Sequence, residues 1–363
     1  MQLLEYMAMV KILLLARLTP QSGNLTTAQR IKGHLAETGH TCELQNSEFF
    51  ETSEGFRHYI VENEFCCVIG IHLWRAGKFL LDCPVPFSMI FGGTDLNEHV
   101  QDSKKLHVMT QVVEKAKNLV AFSQTMASKA EEIWPNVKPK LIVQPQAVFT
   151  CPSENFTEID MICKMKECAT ANESLHLKNI LRGALIIFLL VAGLRPVKDP
   201  MFLFKIFSDW HKQDSRVFLV VVGPEIDLEF SKMVKETAKK YPGVIVMPAL
   251  SQPALHAGIK HCITAVVNTS VSEGMAACIL EAMDLDTVVL ARKIPGNECL
   301  IKHDENGLLF QTPEEFLSLA KQVAYNEKYR ERLTLGGKEY ISNNHSLRLE
   351  NETYKSVVRT LMN

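Results

Sequence analysis

Nothing in this sequence is apolar for long enough to cross a bilayer. The strongest run, GALIIFLLVAG at 183–193, falls short of the roughly 20 residues that a spanning helix needs. The opening stretch, MQLLEYMAMVKILLLARLTP, is interrupted by Lys11 and carries Glu5 where a signal peptide has its basic cluster. It also puts Arg17 where a small-residue cleavage site belongs. Both runs are expected to be buried strands and the chain to be cytoplasmic; a secreted protein is the alternative if the apolar start acts as a signal.

An excess of one charge sign is missing too. Lys and Arg total 39 against 41 Asp and Glu, a formal net charge of -2, which removes any general attraction to nucleic acid or an anionic membrane. Cysteine occurs ten times without a repeated short spacing, in a chain of 363 residues. That is far from a disulfide miniprotein, and most of these thiols are expected to be buried. Cys163 and Cys168 flank the polar KMKE, but no second Cys or His pair follows, so no metal site is expected. Low-complexity tracts and internal repeats are absent, which excludes solenoids. The GxGxxG fingerprint is absent as well, which argues against a nicotinamide-dependent oxidoreductase or epimerase. The sequons at Asn24 and Asn268 matter only if the chain is secreted.

What the chain does have is an alternation, repeated twice. With 47% hydrophobic and 22% charged residues, it can fill two cores. From residue 10, the apolar runs VKILLLA, CCVIGIHL, FSMIFGG, NLVAFSQ and KLIVQ alternate with amphipathic stretches such as TTAQRIKGHLAETGH. That is the pattern of a parallel sheet covered by helices on both faces. The rhythm lapses over 151–180 and resumes with ALIIFLLVAG, RVFLVVVG, GVIVMP, ITAVVN and TVVLAR. The expected fold is α/β, with two Rossmann-like doubly wound domains at 1–150 and 181–340, a linker at 151–180, and a terminal helix over 341–363. That helix would bury Leu347, Tyr354, Val357, Val358 and Leu361. Such sheets bind ligands at the carboxyl ends of their strands, and two of them would face a central cleft.

VSEGMAACILEAMDLD, residues 271–286, places Glu273 and Glu281 eight positions apart. CITAVVN before it reads as a strand, TSVSEG as a turn, and MAACILEAM as a helix beginning near Met275. Free amides and the dipole at a helix start favour a phosphate. Gly274, Ala276, Ala277 and Cys278, beside Met275, are small enough to let an anion reach the backbone. Glu281 shares a helical face with Ala277 and Cys278 and can accept hydrogen bonds from sugar hydroxyls, while Glu273 meets whatever lies beyond the phosphate. The plainer alternative is a capping box, with Ser270 as cap, Glu273 reaching back, and Glu281 as a solvated helix residue.

Residues 268–310, NTSVSEGMAACILEAMDLDTVVLARKIPGNECLIKHDENGLLF, resemble the donor-site signature of family 4 (group 1) glycosyltransferases of GT-B fold, in which two glutamates flank seven residues. VAGLRPVKD (191–199), VVVGPE (220–225) and GGTDLNE (92–98) extend the likeness over most of the chain. The resemblance implies a retaining, metal-independent glycosyltransferase. It would use a nucleotide-diphosphate sugar as donor substrate, no cofactor, and an acceptor that the sequence does not identify. Glu273 would contact the transferred sugar, Glu281 would hold the nucleotide ribose, and Arg195 and Lys198 would neutralise the departing diphosphate.

By the same resemblance Gly23 and Asn24, with Ser22, form a small-residue turn approaching the donor, and Pro295, Gly296 and Asn297 form a turn facing its sugar. DLD at 284–286 imitates a metal-binding Asp-x-Asp motif but reads as a helix end and turn. Three positions depart from the family. Asp286 and Val288 stand where Gly and Pro are common. Gly92 stands where members commonly carry a histidine that positions the donor sugar. His72, at the end of CCVIGIHL, is the candidate substitute, and Asp95 either joins it at the cleft or caps the following segment. The missing histidine motivates an alternative: a catalytically degenerate GT-B protein that binds a nucleotide sugar or a protein partner without turnover.

Overall fold

The alternating runs fold into two parallel sheets of six strands each. The computed structural model describes residues 9–19, 23–37, 39–170, 173, 174, 177 and 185–363. Two compact units result: the described residues up to Ala147 together with Leu347–Asn363, and Val148–Ser346. Among the described residues no helix is long and apolar enough to cross a membrane.

In the first unit the strands are β1 (Lys11–Ala16), β2 (Thr41–Asn46), β3 (Cys67–Ile71), β4 (Phe87–Ile90), β5 (Leu119–Ala121) and β6 (Leu141–Val143). They lie in the order β2-β1-β3-β4-β5-β6. The chain winds outward one way from β1 to β2 and then the other way from β3, so the strand order reverses between β1 and β3. β1 is buried almost throughout, which explains its unbroken KILLLA. The last helix, Leu347–Met362, belongs to this unit and packs on helix Gly23–Glu37. It buries Tyr354, Val357, Val358 and Leu361, whereas Leu347 is exposed and Glu350 takes the inward position instead. Glu350 is completely buried. It accepts from Arg30 Nε at 2.7 Å and Nη2 at 3.1 Å, from the Ala147 amide at 3.2 Å, and lies 2.8 Å from His34 Nε2. Burial pushes its carboxyl up, but His34 and Arg30 outweigh that and hold it below its ordinary value.

The second unit contains β7 (Ile186–Val191), β8 (Val217–Val222), β9 (Val244–Met247), β10 (Ala265–Asn268), β11 (Val288–Arg292) and β12 (Leu308–Phe310), in the order β12-β11-β10-β7-β8-β9. Cys262 and Ile263 fall before β10, because helix Gln252–Cys262 runs further than CITAVVN suggests. Both faces of the sheet are covered, so its strands read as continuous apolar runs. Phe188 and Leu190 enter one core with Phe204, Phe207, Trp210 and Phe316; Ile187 and Leu189 enter the other with Met161, Ile259, Ile279 and Met283. Phe188 lies 5.4 Å from Phe207 and 5.6 Å from Trp210 between ring centroids. Burying a side chain of that size contributes about 2–3 kcal/mol. Here the strand order reverses between β7 and β10.

In the 151–180 stretch, helix Glu158–Cys168 is capped by Thr157 and Asp160 and supplies Met161 and Met165 to the second core. The cysteines differ from the expectation of burial. Among the described residues all are free, only Cys42 and Cys67 are buried, and Cys151, Cys163 and Cys168 are exposed.

Candidate functional site

Ligands of doubly wound sheets sit at the carboxyl ends of the strands where the strand order reverses. In the second unit that position lies after β7 and β10, the two strands followed by Arg195–Lys198 and by Glu273. The loop after β7 tightens into a turn at Pro196–Lys198, and Asp199 next to it adopts left-handed backbone with φ 42°. Arg292, at the end of β11, secures that turn. Its Nη1 donates to Asp199 Oδ2 at 2.9 Å and to the Thr269 carbonyl at 3.3 Å, while its guanidinium lies 4.3 Å from the Phe202 ring centre. Two further bonds join the loops, from Thr269 Oγ1 to the Lys198 carbonyl at 2.9 Å and from the Val271 amide to the Val197 carbonyl at 2.9 Å.

This bracing brings Lys198 Nζ to 2.5 Å from Glu273 Oε1. The same oxygen accepts from Ser270 Oγ at 2.6 Å and Asn268 Nδ2 at 3.3 Å. Burial pushes the Glu273 carboxyl up, but the Lys198 ammonium and these hydrogen bonds win, so it lies below its ordinary value. Glu273 is therefore an ionised, positioned acceptor. No helix starts at Ser270, so the capping-box alternative fails: Ser270 donates to Glu273 rather than capping anything. Arg195 is half-buried, and among the described residues its guanidinium has no ion pair or hydrogen bond.

Helix Ala277–Asp284 begins two residues later than expected, with Ala276 as its cap residue and Met275 in the preceding loop. The Ile279 amide turns back to the Ala276 carbonyl at 3.0 Å. Ala277 and Cys278 are left as the amides at the helix start without an intrahelical partner. Cys278 is pushed up to about 12 by burial and behaves as a small neutral side chain. Asp284 ends the helix, and Asp286 takes a left-handed φ of 57°, the backbone that favours the family's glycine there. Lys338 Nζ holds Asp286 at 2.8 Å, and Asp284 Oδ2 accepts from Thr150 Oγ1 at 2.6 Å. DLD is accordingly spent on internal contacts. Among the described residues no group of three or more His, Cys, Asp or Glu could hold a metal ion.

Pro295, Gly296 and Asn297 are not an open turn but a short helix, Pro295–Glu298. A Cβ on Gly296 would come within 2.2 Å of the Glu273 carbonyl oxygen, so only glycine lets the two loops close. Asn297 is completely buried and donates through Nδ2 to Asn268 Oδ1 at 3.0 Å and to the Arg292 carbonyl at 2.9 Å. Its Oδ1 has no partner among the described residues. Glu281 lies on helix Ala277–Asp284 with Gln252 Nε2 at 3.3 Å from one oxygen and His256 Nε2 at 3.8 Å from the other.

The first unit carries its own group at the reversal after β1 and β3. Ser22 lies outside the described residues. Gly23 and Asn24 are not in a loop but open helix Gly23–Glu37. His72, directly after β3, has a left-handed φ of 72° and a nearly buried side chain. Its Nε2 is 3.2 Å from Asn24 Oδ1, and its Nδ1 is 3.3 Å from Thr94 Oγ1. A Cβ on Gly92 would lie 1.8 Å from the His72 ring. The ring thus occupies the space a side chain at 92 would need.

Asp95 does not reach an open surface. It is completely buried and accepts from the amides of Leu73 at 2.8 Å and Gly92 at 2.9 Å, with His72 and His99 each 3.4 Å away. Burial pushes its carboxyl up, yet the His72 ring and the hydrogen bonds hold it well below the usual carboxylate range. It therefore fixes the strained turn at His72 from inside.

Asn268, Arg292, Asp199, Gln252 and His256 also belong to the site, although no local motif in the sequence marks them. Asn268 shows in the sequence as a sequon and as the end of the strand CITAVVN, neither of which signals its contacts. In the fold it is buried between Glu273 and Asn297, where no glycan can be attached.

The profile of the glycosyl transferases group 1 family matches residues 173–340. Glycosyltransferase 1 domain-containing protein 1 of Xenopus tropicalis is 41% identical over 352 residues, covering 97% of this chain and 98% of that protein. Among solved structures, Anabaena Alr3699/HepE in complex with UDP-glucose aligns with a TM-score of 0.73 at 15% identity, covering 97% of this chain and all of that one. Sucrose-phosphate synthase of Thermosynechococcus elongatus aligns with a TM-score of 0.74 at 14% identity, covering 97% and 99%. The fold they share with this chain is GT-B, with two Rossmann-like parallel-sheet units.

Proposed function

From the premise that this chain belongs to the group 1 glycosyl transferases, we propose that it moves a sugar from a nucleotide diphosphate to an acceptor hydroxyl, with retention and without a metal, in the manner of family 4. In that reaction the anomeric carbon leaves a phosphate oxygen, whose electron pair stays on the diphosphate, and bonds to the acceptor oxygen, whose hydroxyl proton passes to the departing diphosphate. Negative charge therefore grows on the leaving group, where preorganised cations and amides stabilise it. Arg195, Lys198 and the amides of Ala277 and Cys278 are the groups for that task, with Gly274 and Met275 leading into the helix start. Glu273 would face the sugar, with Gly296 and the unpartnered Oδ1 of Asn297 beside it, and Glu281 would take the ribose hydroxyls.

The observation that carries the reading is the Lys198–Glu273 pair at 2.5 Å, braced by Arg292, Asn268 and Ser270, beside a helix start. A diphosphate draws Lys198 toward itself and releases Glu273 for the sugar. Uridine diphosphate sugars are the first donors to try, since the Anabaena structure holds UDP-glucose. His72 and Asn24 are the first unit's candidates for ligand contact. Glu273→Gln is expected to lower sugar-nucleotide consumption by about 10²- to 10³-fold while leaving UDP binding unchanged or tighter, because Lys198 is then unpaired. Equal consumption in the variant would refute the assignment. The reading without turnover rests on Gly92, and consumption that depends on Glu273 excludes it.

A further inference from the structure

Glu281 has two neighbours on another helix. Gln252 and His256 are one turn apart on helix Gln252–Cys262, and both face the Glu281 carboxylate. Residues four apart share a helical face. Gln252 Nε2 donates to Oε1 at 3.3 Å. His256 Nδ1 accepts from the Cys151 amide at 3.1 Å; an amide can only donate, so the ring proton sits on Nε2. Nε2 lies 3.8 Å from Glu281 Oε2, just beyond hydrogen-bond reach. His256 is only 2% exposed, and this nitrogen has no partner among the described residues. A buried donor left open is costly and calls for a partner in the working state.

We propose that His256 is a positioning residue for Glu281, closing onto Oε2 when a ribose binds. A carboxylate has about four acceptor sites. With Gln252 on one oxygen and His256 on the other, each oxygen keeps one free site. That arrangement matches a vicinal diol, which presents two hydroxyl donors together. His256 thereby sharpens the preference for a ribonucleotide over its 2′-deoxy analogue. The inference rests on the donor-site reading given above for Glu281.

The test uses the full chain and isothermal titration with UDP, GDP and ADP, each paired with its 2′-deoxy analogue. His256→Ala is expected to reduce the ribo-over-deoxy preference about tenfold, mostly by weakening the ribonucleotide. His256→Gln, whose amide nitrogen can stand in for Nε2, is expected to restore most of it. If Glu281→Gln removes the preference but His256→Ala leaves it intact, the inference fails while the donor-site reading stands. A loss in His256→Ala that His256→Gln does not repair makes the histidine structural and also overturns it. No binding by the unaltered chain, or an undiminished preference in Glu281→Gln, overturns the donor-site reading and this inference with it.

Discussion

At residue scale the first unit makes one arrangement out of two separate features of the sequence. Gly92 and His72 are far apart in the chain, and each alone looks like a small anomaly. In space the His72 ring lies where a side chain at 92 would begin, and Asp95 holds the strained turn from beneath. A histidine at 92 and a histidine at 72 therefore exclude each other. Gly92→Ala is expected to displace the His72 ring and to destabilise the fold by about 1–3 kcal/mol, read from the urea midpoint. Made in a His72→Ala background, the same Gly92→Ala change should cost little further stability. A destabilisation that persists without the ring would contradict the steric account.

At the scale of elements, helix spacing alone would put Leu347 inside the terminal helix and leave Glu350 to solvent. The fold does the reverse because Arg30 and His34 on helix Gly23–Glu37 supply a buried partner for Glu350. Periodicity reads apolar faces and is blind to a charge whose partner lies some 300 residues away in the chain. Removing one partner of such a pair strands the others, and Glu350→Ala is expected to cost about 3 kcal/mol. The pH dependence follows from the lowered carboxyl. The ionised form stabilises the fold fully above its ordinary value of 4.5 and progressively less as the pH falls through the lower folded value. Wild-type stability should thus decline more steeply below pH 4.5 than that of Glu350→Gln, measured by denaturant unfolding across that range. Parallel slopes in the two proteins would remove Glu350 from the account.

The same limit of local reading applies around the site. The alternation of apolar runs was enough to give both sheets, because a strand buried on two faces leaves a clear pattern. Glu273, Lys198 and Glu281 were legible because they lie in short segments following strands. Arg292, Asp199, Asn268 and His256 were not, since each matters through a partner that is distant in sequence. Helix boundaries are also poorly marked: the starts at Gly23 and at Ala277 depend on backbone bonding that the local Gly, Ala and Met residues do not announce.

For the whole molecule, both units share one logic, a parallel sheet whose strand order reverses once, with chemistry-bearing side chains gathered at that reversal. In the second unit the gathering includes cations, helix-start amides and two carboxylates, the groups proposed to hold a nucleotide. The most direct measurement is the thermal stability of the full chain with UDP, GDP, ADP and their common sugar conjugates, compared with Glu281→Ala. A ligand at 100 times its dissociation constant stabilises the fold by about 2.7 kcal/mol. A selective rise in Tm with one nucleotide series, lost in Glu281→Ala, is the expected result. No rise with any of them, or a rise that survives the substitution, would contradict the donor site.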